Sequence, residues 1–543
     1  HKEYRRQRQM CIRDRKNPHR NNLGNLLTAA PFIYTLGFNV SSGIVNVANI
    51  PMIVMPYLKG RYKDANINVA LSDATKAFFG SGRTYEATAL GAAESTKLRG
   101  LYSMGNYEKG SAEYNELGPL IEEMKRNGQL RRSQAYEMLN ADPKTSTLAK
   151  VNHASGWVMH QSERMNREIT AIMAYRLEVE KLKKQGMAED KAKKQAAREA
   201  VYLTELTNGG ISAAAAPRVA QSTLGKMFFM YKRYGVSMYY MMFKTAKEGL
   251  KSSNLTPEEQ QAARKQLAGI VGMSALMAGA QGIPLFGLAS LVWSMFADDD
   301  DDDLDTITRK YLGEFMYKGP IEYATNLSLA SRFSLNDLII RDTKGGSPAS
   351  TFSEQMAQTV GGPAYGVGQR IGRGYSKMAE GHFERGLEDM LPAAIANTLK
   401  AGRYATEGTT TLRGDPVTGD VSAWNVGAQF FGIAPADYTR QIETNAREKG
   451  VDRYVNEKAT QLRKRWNAAR TFGDRDGMEE ARDELLQLGA KHRGLGITPS
   501  TINETLEKSK KQYDRATKEM VHGVQYSKKM RKEILNDIAE LED

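Results

Sequence analysis

Thirty-two consecutive residues, Gln266 to Ala297, carry no charge, and six aspartates, Asp298 to Asp303, follow at once. A run of this length either crosses a bilayer or is hidden inside protein, so it constrains every fold the chain can take. Gly282 and Pro284 divide it into two halves of about fifteen residues each, a length that fits a re-entrant or buried helical hairpin as well as a span. Small residues at Gly272, Ala275, Ala278 and Gly279 permit close helix packing in lipid or in a core. If the run inserts, Arg264 and Lys265 lie on the cytoplasmic side and the aspartates on the far side. The candidate membrane-contact residues are Leu267, Ile270, Val271, Leu276, Met277, Ile283, Leu285, Phe286, Leu288, Leu291, Val292, Trp293 and Phe296. The aspartate run lacks the spaced Asp, Gly and Glu of a calcium loop and reads as a solvated linker.

The start of that segment is marked. Thr256-Pro257-Glu258-Glu259 places Thr at the N-cap, Pro at the first helical position and Glu three residues after the cap. A second uncharged stretch, Asn21 to Leu58, holds Pro31, Asn39, Asn46, Asn49, Pro51 and Pro56. Those prolines free backbone groups that lipid cannot satisfy, so we expect a buried, broken pair of helices here. Residues 227–243 (MFFMYKRYGVSMYYMMF) are Met and aromatic on nearly every side. They suit core or subunit packing, or an interfacial helix with Lys232 and Arg233 snorkelling.

Residues 145–206 predict one or two long helices broken near Gly186. Their polar face carries Lys181, Lys183, Lys184, Lys191, Lys193, Lys194 and Arg198. A solvated helix face and a phosphate-contacting surface both fit. The excess of Lys and Arg over Asp and Glu, +13, points to an anionic partner without choosing between nucleic acid and membrane. The first fifteen residues contribute six of those cations against two carboxylates, lack an initiator Met and end in MCIRDR, which resembles translated sequencing adaptor. Residues 1–15 are therefore set aside, and we expect the rest to be the C-terminal part of a longer protein. Cys11, the single cysteine, falls in that stretch, so neither a disulfide framework nor a thiolate metal site is expected.

We expect four further regions: 16–150, helical with the apolar segment 21–58; 151–310, long helices with the candidate membrane segment; 311–440, Gly-rich and helical; and 441–543, a charged helical arm. Thr409 to Asp420 suits a small hairpin. In the arm, Val455, Ala459, Leu462, Trp466 and Ala469 form one apolar seam, and Ile502, Leu506, Ser509, Tyr513, Ala516 and Met520 another, with Thr498-Pro499 as a helix start. The fold class is all-α: an elongated multi-helix assembly with a helical-hairpin or docking arm at its C-terminus and little or no β-structure.

No chemistry is legible. There is no His-Glu-x-x-His and no Gly-x-Ser-x-Gly. His153 and His160, with Glu163 a turn beyond, could share a helix face, an arrangement more often structural than ligating. The glycines between Gly361 and Gly374 lack both the preceding strand and the Lys-Ser/Thr of a phosphate loop. We expect no enzyme activity, no cofactor and no small-molecule substrate.

Dispersed landmarks do carry a resemblance. Tyr34 to Ser42 (YTLGFNVSS), Val45-Asn46 and Met55 to Leu58 resemble a recurrent block of very large tailed-phage internal virion or DNA-ejection proteins, the large polyvalent or PLxRFG-type class. Similar in order and spacing are Arg164 to Glu168, Phe229 to Tyr234, Gly282 to Pro284, Gly362-Pro363, Leu391-Pro392, Asn397, Arg403-Tyr404, Glu407-Gly408, Phe431 to Ile433 and Ile497 to Pro499. Of the naming motif, Ser331 to Ser334 keeps only Arg332-Phe333. The resemblance covers most of residues 21–520. It implies a protein packaged in the capsid and expelled with, or ahead of, the genome; the expected partners are other virion proteins and copies of itself, with the host inner membrane and nonspecific phage DNA as candidates. Two alternatives stand beside it: an assembly module behind an upstream enzyme or antirestriction function, and a nonspecific nucleic-acid-binding protein.

Overall fold

The computed structural model describes residues 22–80, 103–107, 109–130, 147–209, 232–250, 254–287, 289–290, 293, 304–335, 352–518, 520–521 and 524–525. The chain is all-α, as its patterning predicts. Among the described residues the only strands are the two-residue β1, Met520–Val521, and β2, Val524–Gln525, which pair antiparallel. Two compact units divide it, one running to Gln441 and one from Ile442.

The first unit begins with α1 (Asn22–Thr35) and α2 (Val40–Val47), a single π turn (Ile50–Val54) and α3 (Met55–Arg61). The expected broken pair is present, but no proline makes the break. It falls at Phe38, in the left-handed region at φ 56°, and Asn39 then caps α2 by accepting from the Ser41 N–H. Then come α4 (Ile67–Gly80), α5 (Ala112–Arg126), α6 (Thr147–Ser155), α7 (Trp157–Lys184) and α8 (Glu189–Asn208). Gly186, at φ 84°, makes the turn between α7 and α8.

Helix α7 is the axle. Every residue from Asn166 to Tyr175 is buried, so the helix is enclosed on all sides by its neighbours. It carries polar groups into that interior and meets partners there. Asn166 donates to Asn46 Oδ1 at 2.9 Å, Asn46 to Ser162 Oγ at 3.2 Å, and Arg176 clamps Glu116 through two bonds of 2.7 and 2.9 Å. Asn49 takes a bond of 2.6 Å from the Tyr234 hydroxyl and donates to the Thr207 carbonyl at 3.1 Å. Polar groups paired across five segments fix register where apolar packing alone would slide.

Helices α9 (Lys232–Glu248) and α10 (Pro257–Ala278) lie against this core. The expected capping box opens α10: Thr256 Oγ1 accepts from the Glu259 N–H at 3.3 Å, and Glu259 accepts from the Thr256 N–H at 2.9 Å. Thr256→Ala is expected to cost about 1 kcal/mol in urea unfolding; an unchanged midpoint would mean the cap is idle. Next come α11 (Leu304–Lys318), α12 (Pro320–Thr325), α13 (Ala330–Phe333), α14 (Phe352–Ala379), α15 (Phe383–Met390), α16 (Ala393–Thr406) and α17 (Ala423–Phe430). The Gly-rich stretch 361–374 is helix, the interior of α14. Residues 409–418 do turn back on themselves, with a bridge between Thr410 and Pro416.

One core joins segments from residue 48 to residue 433, including Ile53, Leu120, Ile172, Leu203, Met238, Ile270, Leu329 and Ile433. The three regions expected between 16 and 440 thus share one interior.

The second unit is built from α18 (Ala436–Phe472), within which the unit boundary falls, α19 (Arg475–Lys491) and α20 (Ile502–Lys518). Its core sets Ala459, Leu462 and Trp466 against Ala481, Leu485, Leu488, Ile502 and Leu506. The first predicted seam is buried throughout, and Ile502 and Leu506 of the second are buried with Ser509 and Tyr513 half-buried. The Ala516 and Met520 side chains lie outside the described residues. Three helices rather than a hairpin supply this core, because α19 brings an apolar face of its own. Thr498 forms a turn ahead of α20, which begins three residues later than Thr498-Pro499 suggests.

Candidate functional site

The uncharged run 266–297 is not one helix. Helix α10 carries it to Ala278, where Gly279 leaves helical geometry at φ 66°, ψ −163°; a 3-10 turn (Ala280–Gly282) follows. The break comes three residues before Gly282. Gln266, Ile270, Ser274 and Ala278 form the buried face of α10, and Leu267 and Met277 pack on the core beside them. The approach to α3 is close. A Cβ on Gly269 would stand 2.9 Å from Pro56 Cβ, and one on Gly60 would strike the Gln266 side chain and come 3.0 Å from the Ala262 carbonyl oxygen.

Of the remaining candidates, Val271, Ile283, Leu285 and Phe286 are half-buried, while Leu276 and Trp293 are exposed. Leu288, Leu291, Val292 and Phe296 lie outside the described residues, as do Asp298 to Asp303. Among the described residues, the one helical run apolar and long enough to cross a bilayer is Val40–Arg61, and 56% of its most apolar window is buried in the fold. Its Ile50, Met52, Ile53, Val54, Tyr57 and Leu58 are core.

Large apolar side chains come to the surface elsewhere. On α11, Tyr311 (79% exposed), Leu312, Phe315 and Met316 (each about half exposed) face outward around Gly313, whose φ 76°, ψ 161° interrupts the helix. Contacts within the helix brace it, and one reaches Tyr323 of α12. Tyr317 donates to Asp305 at 3.1 Å, the Arg309 guanidinium lies 3.9 Å from the Tyr317 ring centroid and pairs with Glu314, and Phe315 packs on Tyr323 at 5.2 Å. Sequence reading passed over this face, because the residues are neither a long run nor a clean 3.6-residue stripe. Helix α9 is two-faced: Gly235, Met238, Met241 and Met242 are buried, while Val236, Tyr240 and Phe243 are open to solvent. Residues 227–231 lie outside the described residues.

The lysine-rich hairpin of α7 and α8 is largely neutralised by its own carboxylates. Lys181 meets Glu178 at 3.6 Å, Lys184 meets Glu180 at 2.7 Å, and Lys183 and Lys193 both meet Glu189 at 2.9 Å. These two lysines hold the Glu189 carboxyl down at about 2. Lys191, Lys194 and Arg198 are exposed and form no ion pair among the described residues. Four of the seven cations are thus engaged locally, which suits a solvated helix face better than a phosphate surface.

Two titratable groups inside α7 are shifted by burial. Glu168 is fully buried and accepts from the Met104 N–H at 2.6 Å and the Ser103 hydroxyl at 3.0 Å, with Arg164 at 3.5 Å. Burial raises its carboxyl above the ordinary value against the opposing pull of Arg164. His160 is pushed down to about 2, first by burial and then by Arg164 and Arg167, so its imidazole is neutral. No group of three or more His, Asp or Glu side chains with metal-binding geometry occurs among the described residues.

The fold and these surfaces define an all-α protein with a polar-laced core, outward aromatic faces and a net positive charge. No family model, curated protein or solved structure matches the chain.

Proposed function

We propose that this chain is a structural protein of a phage virion interior that takes part in delivering the genome, and that it meets the host membrane through the apolar face of α11. The observation that carries the membrane contact is the cluster of Tyr311, Leu312, Phe315 and Met316, all exposed on α11, with Phe315 packed on Tyr323 of α12. Aromatic rings held at the surface of a rigid element suit the interface of a bilayer, where an apolar body and a polar edge are both satisfied. The resemblance of residues 21–520 to internal virion proteins supports the setting. Within it, the role is mechanical, with other virion proteins and copies of this chain as partners, in the capsid interior and then in the host envelope.

A second reading, an assembly module whose apolar runs are simply core, is favoured by the burial of Gln266, Ile270, Ser274 and Ala278. Flotation of the full chain with anionic vesicles separates the two. Co-flotation that survives high salt and falls about tenfold or more in Tyr311→Ser/Phe315→Ser supports membrane contact, since each aromatic buried contributes roughly 1.5–3 kcal/mol. Equal flotation of the double variant would sink the assignment to α11. A wild-type chain that stays at the bottom would put the assembly module first.

A further inference from the structure

Around Tyr34, helices α14 and α16 bring together more positive charge than their surroundings neutralise. Arg370, Arg373 and Lys377 lie at i, i+3 and i+7 on α14, one stripe of that helix. Lys400 and Arg403 come from α16. Two carboxylates of α15 meet them: Glu388 takes both guanidinium bonds of Arg403, at 2.7 and 3.1 Å, and Asp389 takes the Lys377 ammonium at 2.7 Å. Both acids are then engaged. Arg370, Arg373 and Lys400 form no ion pair among the described residues.

Arg370 and Arg373 stand one turn apart on α14, and Lys400 stands one turn before Arg403 on α16, whose partner Glu388 adjoins Asp389, the partner of Lys377. The Arg370 guanidinium lies 5.0 Å from the Tyr34 ring centroid, and the Tyr34 hydroxyl donates to the Asp389 carbonyl. The charges of Arg370 and Arg373 both act on that hydroxyl. Lys400 is held below its ordinary range, first by burial, with Arg370 and Arg403 pressing the same way against Glu388 and Asp389. Like charges gathered in a half-buried place repel one another, and a bound anion relieves that repulsion. Access is open: Arg373 is exposed, and a Cβ added at Gly366, one turn before Arg370 on the same stripe, would meet nothing within 4 Å. Cations gathered on one face without carboxylate partners are a means by which proteins hold the phosphates of a nucleic-acid strand without reading its sequence.

We infer that Arg370, Arg373 and Lys400 form a binding site for the phosphate groups of a nucleic-acid backbone. The site is distinct from the lysine-rich hairpin and does not depend on the membrane reading, so a failed flotation leaves it standing.

The experiment is fluorescence anisotropy of a labelled DNA duplex of about 25 base pairs with the full chain, across a salt series. The wild type binds, and log affinity falls steeply with log salt. In Arg370→Gln/Arg373→Gln/Lys400→Gln the slope decreases in magnitude by about 2 to 3 and low-salt affinity drops roughly tenfold or more. Arg370→Lys/Arg373→Lys keeps the charge and most of the binding, and Lys191→Gln/Lys194→Gln/Arg198→Gln stays near wild type. Arg373 is exposed, so Arg373→Glu tests the site without risk to the fold and is expected to weaken binding severalfold. No binding by the wild type at low salt, an unchanged Arg373→Glu, or loss in the hairpin variant instead would overturn the proposal. Anionic vesicles bound through these residues in place of duplex would also overturn it.

Discussion

Gly279→Ala is expected to destabilise the first unit by about 3 kcal/mol or more, a sum of backbone strain and overpacking. Gly279 sits at φ 66°, ψ −163°, a region that only glycine adopts readily, and Gly319 opposite it is at φ 91°. The two backbones cross there. A Cβ on Gly279 would run into the Tyr317 carbonyl and the Gly319 N–H, neither of which can rotate away. This crossing ties the end of α10 to the end of α11, so the substitution loosens the end of the helix that carries the aromatic face as well. Gly272→Ala on the same helix is the control: its Cβ meets nothing within 4 Å, and it is expected to stabilise by about 0.5–1 kcal/mol. Urea midpoints of the two variants moving the same way would contradict this account of the crossing.

Glu168→Ala is expected to cost about 3–5 kcal/mol, the range found when one partner of a buried charged pair is removed. The substitution takes the acceptor from the Met104 N–H and Ser103 hydroxyl and leaves the Arg164 guanidinium, 6% exposed, without its nearest carboxylate. Glu168→Gln keeps the shape and costs less. The pair also gives a pH signature. Because the folded carboxyl is raised above its ordinary value, the native state binds the proton at a pH where the unfolded state has lost it. Glu168 therefore contributes most stability below the ordinary glutamate range, and that contribution declines as pH rises through the interval up to the raised value. The stability difference between wild type and Glu168→Gln should shrink over the same interval. A difference that grows with pH would mean that Arg164, and not burial, sets the carboxyl.

Local signals were legible where a single residue's chemistry decides the backbone. Thr256 and Glu259 announced the start of α10, Gly186 the turn between α7 and α8, and Val455 to Ala469 the seam of α18. What the sequence hid was cooperation between distant segments. Nothing in the sequence places Asn166 and Glu168 in the interior, where Asn46, Ser103 and Met104 arrive from elsewhere to bond them. The lysines of the hairpin looked available until Glu178, Glu180 and Glu189 were seen to face them. Likewise the apolarity of 266–278 could not say whether lipid or α3 would cover it. Several landmark residues of the resemblance prove to be packing nodes: Ser41 bonds to the Phe431 carbonyl at 3.1 Å and accepts from Arg332 at 3.1 Å, and the Gly282 carbonyl accepts from Leu335 at 3.3 Å. Gly432, at φ 92°, passes so close to Asn39, Ser41 and Asn397 that a side chain there would collide with all three.

The α10 face made of Gln266, Ile270, Ser274 and Ala278 belongs to the core, whatever surface the protein later meets. Hydrogen exchange of the full chain, with and without anionic vesicles, tests it most directly. Slow exchange is expected for the α10 amides from Gln266 to Ala278 in solution, unchanged when vesicles are added, because the hydrogen bonds of the helix and its packing on α3 and α9 already protect them. Fast exchange in solution that becomes slow only on vesicles would contradict it and make this segment the part that enters the membrane.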